Sequence, residues 1–107
     1  NKLYKGKIDG KYPVTVFISR FYPAEDKSGV STFQAGYWYD KSKKLIKWDG
    51  QLKGQHISIV ENDHYDDATS QWIRRALVEA EMDGNKITGT WQDLKTKKKL
   101  TLELEEL

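Results

Sequence analysis

Within seven residues, Glu61 to Asp67, the chain sets four carboxylates and a histidine, Glu61, Asp63, His64, Asp66 and Asp67, in the stretch ENDHYDDATSQW that ends at Trp72. Three chemistries use such a set. Calcium takes several oxygens, and a helix-loop-helix calcium loop requires glycine at its sixth position and glutamate at its twelfth. Counted from Asp63, those positions are Ala68 and Arg74. Zinc takes three or four His, Cys or carboxylate ligands. His64, Asp63 and Asp66, with distant His56, have no zinc spacing, so no metal site and no cofactor are expected. Paired carboxylates divide into acid and base when their environments differ, which requires burial. NDHYDD reads as solvated, and the chain has neither a G-x-S-x-G elbow nor a glycine-rich phosphate loop. Catalysis is therefore not expected, and a hydrolase built on residues 61–67 is the least favoured reading. What remains is a polar hairpin tip, in which Asp, Asn, Ser and Thr stabilise the turn through their own side chains.

Such a tip needs strands to carry it, and period-two alternation recurs along the chain. LTLELEEL turns Leu100, Leu102 and Leu104 to one face. YPVTVFIS does the same with Val14, Val16 and Ile18, HISIV with Ile57 and Ile59, and NKITGTW with Ile87, Gly89 and Trp91. DGK at Asp9, KGQ at Lys53 and DGN at Asp83 are short hairpin signals. Eight strands are predicted, over 3–8, 12–19, 31–40, 44–52, 55–61, 71–82, 86–93 and 98–106. Trp72 to Met82 also suits a helix by propensity. As a strand it turns Ala76, Val78, Ala80 and Met82 inward, and the DGN that follows offers a hairpin. The expected fold is all-β: an eight-stranded antiparallel up-and-down meander closing into a small barrel, in one domain spanning 1–107. The alternative is a curved sheet packed on a helix at 72–82. An eight-stranded barrel is either just filled by side chains or holds one small ligand.

A meander places alternate tips at the same end. The 61–71 loop is therefore expected beside DKSKK and LKTKKK, with Lys41, Lys43, Lys44, Lys95, Lys97, Lys98 and Lys99 around Glu61, Asp63, Asp66 and Asp67. In FQAGYWYD consecutive side chains face opposite sides, so either Trp38 or the pair Tyr37 and Tyr39 lies outside the core. On β-strand parity Arg74 shares the inward face of Ala76 and Val78, where a buried charge needs a partner or a wet cavity; the favoured reading places it instead at the barrel rim, beside the acidic loop. At the other end, Phe21, Tyr22 and Pro23 in the 19–29 loop are placed to plug the barrel.

The totals bound the remainder. The chain's 107 residues hold 18 basic and 16 acidic groups, a net charge of +2, which lacks the basic stripe of a nucleic-acid binder. No apolar run is long enough for a transmembrane helix. Cysteine is absent, which excludes disulfides, thiolate metal sites and cysteine nucleophiles.

YKGKIDGKYPVTVFIS, GYWYD, DGNKITGTW and KLTLELEE together resemble exported, lipoprotein-associated bacterial β-meander domains that read G-K-Y-P-V, then G-Y-x-Y, then I-x-G-x-W. The resemblance covers most of the chain outside 20–30 and 61–71. It implies a barrel-like fold and export to the periplasm or cell surface, and it carries over no catalytic residue. The first residue, Asn1 rather than Met, suits removal of a leader. The expected function is a non-catalytic exported domain recognising a protein or envelope component through its charged loop end, with Asp63, His64, Asp66, Asp67, Trp38, Trp72, Arg74, Lys95, Lys97 and Lys98 as the partner-binding set. The alternative is a carrier holding a small ligand inside the barrel.

Overall fold

The computed structural model describes residues 2–107. It comprises β1 (Lys2–Ile8), β2 (Tyr12–Tyr22), β3 (Val30–Tyr39), β4 (Ile46–Lys53), β5 (His56–Asp66), β6 (Gln71–Asp83), β7 (Lys86–Asp93) and β8 (Lys99–Glu106). Each strand pairs antiparallel with the next, and β8 returns to β1 with pairs running from Tyr4↔Glu106 to Ile8↔Leu102, closing the barrel. Closure removes both sheet edges. Residues 72–82 belong to β6, so the helical alternative is excluded. Their inward set, Ala76, Val78 and Ala80, is buried as the alternation required. Helix propensity gave way because this segment has two strand partners, β5 and β7, along its length.

The expected 61–71 loop is shorter than its composition suggests. β5 runs on to Asp66 and β6 starts at Gln71, with Asp66 pairing Gln71. Only 67–70 form the turn, held by Asp66 Oδ1 accepting from the Ala68 amide at 3.0 Å. Gly54 and Gly84 open two-residue hairpins with φ of 61° and 62°, the left-handed first position of a type II′ turn.

Inward positions form one apolar lining from Tyr4, Ile8, Val14, Val16, Phe33, Ala35, Tyr37, Trp48, Ile57, Ile59 and their counterparts on β6–β8. Outward positions include Lys5, Lys7, Glu79, Glu81, Glu103 and Glu105, all exposed. That charged exterior is the reverse of the apolar belt a membrane barrel presents to lipid. No helix among the described residues is long and apolar enough to cross a membrane.

On the outer wall, His56 bridges two glutamates of β6, with Nδ1 2.7 Å from Glu81 and Nε2 2.6 Å from Glu79. Those two bonds raise the imidazole pKa above its ordinary value of 6.5. A folded-state pKa above the unfolded one contributes stability that is fully present below about pH 6.5 and is lost as pH rises through the raised value. His56→Gln should therefore lower the urea midpoint most at pH 5–6 relative to the parent. The gap should close in alkaline buffer; a gap independent of pH would show that the imidazolium adds nothing.

Candidate functional site

The barrel interior is divided. One end carries the turns at 9–11, 40–45, 67–70 and 94–98, and its core is a hydrogen-bonded polar cluster. Glu61 follows Ile57 and Ile59 on the inward face of β5, and its side chain is 1% exposed. Its Oε1 accepts from the Tyr37 hydroxyl at 2.5 Å, the Trp91 indole Nε1 at 2.9 Å and the Trp48 indole Nε1 at 3.1 Å. Tyr37 also stacks on Trp48, with ring centroids 4.3 Å apart. Burial first, then the neighbouring Glu61, drives the Tyr37 pKa far up, so this hydroxyl stays protonated as the donor. Buried indoles and phenols need a polar partner, and one carboxylate oxygen serves all three.

Arg75 approaches from the rim, with Nε 3.7 Å from Glu61 Oε2 and Nη1 3.8 Å from Asp63 Oδ1. Two register breaks put it there. Glu61 pairs Ala76, but Asn62 pairs Arg74 and His64 pairs Ile73. Arg75 and Asp63 are thus the extra residues on their respective strands. A bulge re-aims the side chain it inserts. Arg74 is exposed, in keeping with a place at the rim rather than inside: the bulge breaks the alternation carried from Ala76, and Arg75 has the contact with the buried charge.

The expected charged cluster is only partly assembled. Asp63 and His64 meet at 3.0 Å. Asp66 is occupied with its own turn, bonding Ala68 and the Thr69 hydroxyl, and Asp67 is exposed. Lys95, Lys97 and Lys98 lie exposed on the β7–β8 turn, which Asp93 organises by accepting from the Lys95 and Thr96 amides at 2.8 and 2.9 Å. Among the described residues none of these lysines forms an ion pair with Glu61, Asp63, Asp66 or Asp67. Long lysines on separate turns gain little from pairing through water and stay solvated. Glu61 leaves the acidic set altogether, because it points into the barrel. Trp72, 48% exposed, packs edge-on against Tyr65 at 5.5 Å, with the Lys47 ammonium 5.7 Å from its ring. Trp38 sits apart, on the outer wall against Phe17 at 5.8 Å. Tyr37 takes the inward place.

The other end carries the turns at 23–29, 54–55 and 84–85, and it is hollow. A cavity of about 470 Å3 is lined by Tyr4, Val16, Ile18, Phe33, Ala35, Ile57, Ile59, Val78, Ala80, Leu102 and neighbours, with Trp48 as the residue it shares with the polar cluster. Lys2, Ser19, Arg20 and Phe21 stand at its mouth, all exposed. Phe21 was expected to plug this end. Instead β2 runs on through Tyr22, and Phe21 lines the mouth while remaining half-exposed. The lining is empty of side-chain volume because Ala35, Val78 and Ala80 are small where the polar end has Tyr37, Trp48 and Trp91.

Fold and site together define a closed up-and-down barrel shaped as a cup, with a hydrogen-bonded floor and an open apolar bowl. No family model, curated protein or solved structure matches the chain.

Sequence reasoning missed the floor. The signal was present: Ile57, Ile59 and Glu61 keep one parity, so the carboxylate continues an inward row. Two inward tryptophans, Trp48 and Trp91, each carry an N–H that must find an acceptor.

Proposed function

We propose that this protein is a non-catalytic carrier that holds a small apolar ligand in the open half of its barrel. The observation that carries the reading is the cavity of about 470 Å3, apolar-walled and open at the mouth. Ligand pockets fall in the range of roughly 300–1,000 Å3 and are mostly apolar with few polar groups. In this reading Glu61 is structural: its Oε1 gathers the Tyr37, Trp48 and Trp91 donors and closes the floor of the bowl. An exported bacterial setting, periplasmic or at the cell surface, belongs to the same proposal and rests on the motif resemblance.

Titration with the neutral fluorophore N-phenyl-1-naphthylamine tests the reading. Saturable one-to-one binding is expected. Ala80→Phe, which drives a ring into the bowl, should weaken it by about tenfold or more, ~1.4 kcal/mol per decade. Absence of saturable binding, or equal binding by Ala80→Phe and the parent, would overturn it.

A second reading is recognition of a protein or envelope component at the sealed end. It is favoured by Tyr65, Trp72 and Ile73, exposed together on the projecting β5–β6 hairpin, since exposed aromatics are common interface anchors. Its mark is a Trp72→Ala variant that loses partner capture while fluorophore binding is unchanged.

A further inference from the structure

The geometry points to a single-chain anionic amphiphile as the ligand, its tail in the bowl and its charged end at the mouth by Lys2, with Arg20 adding positive charge on the outer side of the same lip. This inference rests on the carrier reading and adds the class of ligand. The cavity wall contains two charged residues, Lys2 and Arg20, and both are cationic; among the described residues no carboxylate lines it. The polar lining is not scattered. Lys2 pairs across β1–β2 with Ile18, and Ser19 and Arg20 follow directly on β2. The donors therefore gather on one lip, and the opposite wall is aliphatic.

A backbone device sets this lip. The β2–β3 register breaks between Ile18 and Arg20, so that Ile18 faces Ala35 while Arg20 faces Gln34, and Ser19 is the extra residue. The Ser19 hydroxyl donates to the Gln34 carbonyl at 3.1 Å. Without the bulge, alternation from Val14, Val16 and Ile18 would carry Arg20 inward and Phe21 outward. With it, Phe21 stands opposite buried Phe33 and joins the lining. The result is an aromatic collar with a cation beside it.

The nearest competitor for an anion is Glu106, 3.6 Å from the Lys2 ammonium. An ammonium has three donors, so Lys2 can hold that glutamate and a ligand oxygen together. Arg20, turned outward by the bulge and in contact with Tyr22, acts on the ligand's charged end through its field at the lip rather than by direct contact inside the bowl. A ligand with a cationic end would meet both charges unfavourably, and a neutral one would gain nothing from them.

The test is competition against bound N-phenyl-1-naphthylamine by decanoate, decanol and decyltrimethylammonium, each below its micelle concentration. Decanoate should displace best and the ammonium worst. Octanoate to dodecanoate should gain about fourfold in affinity per methylene until the bowl is full. The Lys2→Ala/Arg20→Ala double variant should lose roughly tenfold for decanoate and leave decanol unchanged. If decanol binds as tightly as decanoate, or the double variant treats both alike, the anionic assignment fails while the carrier reading stands. If the fluorophore itself does not bind the parent protein, the carrier reading fails and takes this inference with it.

Discussion

Glu61→Ala is expected to lower the free energy of unfolding by about 3–5 kcal/mol, the range for breaking a buried charged network by removing one member. The substitution strands three buried donors at once: the Tyr37 hydroxyl and the Trp48 and Trp91 indoles, all bonded to Oε1. Each buried polar group left unpaired costs about 1–3 kcal/mol. Local relaxation and entering water hold the total below the sum. Glu61→Gln keeps a carbonyl oxygen for the same donors and loses the attraction to Arg75, so its cost should be smaller, about 1–2 kcal/mol. Arg75 is more than half exposed, and solvent screens its share. Urea unfolding gives the energies. The near-ultraviolet circular dichroism of the tryptophans reports whether Trp48 and Trp91 have lost their fixed orientation. Equal losses for the alanine and glutamine variants would mean that these three bonds do not hold the floor.

The floor also bears on binding. Trp48 reaches both the polar cluster and the cavity. A loosened indole in Glu61→Ala would alter the bottom of the bowl, so stability and ligand affinity are coupled through this one side chain.

Gly89→Ala and Gly6→Ala should each cost about 3 kcal/mol or more, at the high end for overpacking. A Cβ on Gly89 would lie 2.1 Å from the Glu79 carbonyl oxygen and 2.5 Å from the Ala80 Cα. One on Gly6 would lie 1.7 Å from the Glu103 carbonyl oxygen and 2.8 Å from the Leu104 Cα. In both places the obstacle is the backbone of the adjacent strand, which cannot swing aside without parting the ladder. Strand glycines mark sites where a second backbone comes close, and a small closed barrel needs tightly coiled strands. Gly36→Ala is the contrast. Its nearest atoms are the ring tip of Phe17 and a methyl of Leu45, at 2.8 and 2.9 Å, and Leu45 is exposed and free to move. That variant should lose only about 1 kcal/mol. Thermal or urea melts of the three proteins decide the point. A Gly89→Ala protein as stable as Gly36→Ala would mean that β6 and β7 can separate without penalty.

Alternation alone placed most of the lining. Val14, Val16, Ile57, Ile59, Ala76, Val78, Ala80, Leu102 and Leu104 were assigned inward by parity and are buried. Turn chemistry at Gly54 and Gly84 joined the strands in order, and consecutive hairpins admit a meander as the simplest topology. These features are local: each depends on a residue and its neighbours two or three positions away, which is why a one-dimensional reading reaches them.

Where that reading broke down, the cause was an inserted residue or a volume. The bulges at Asp63, Arg75 and Ser19 shift parity by one, and no pattern in ENDHY, IRRA or ISRF announces them. They decide that Arg75 rather than Arg74 meets the buried carboxylate, and that Phe21 turns to the mouth. Glu61 was misassigned to a solvated tip because charge outweighed parity; only the barrel brings Tyr37 from β3, Trp48 from β4 and Trp91 from β7 to the same oxygen. Whether eight strands enclose a solid core or a bowl depends on how large and small side chains from all of them sum at each level. That sum is set by closure and register, which exist only in three dimensions.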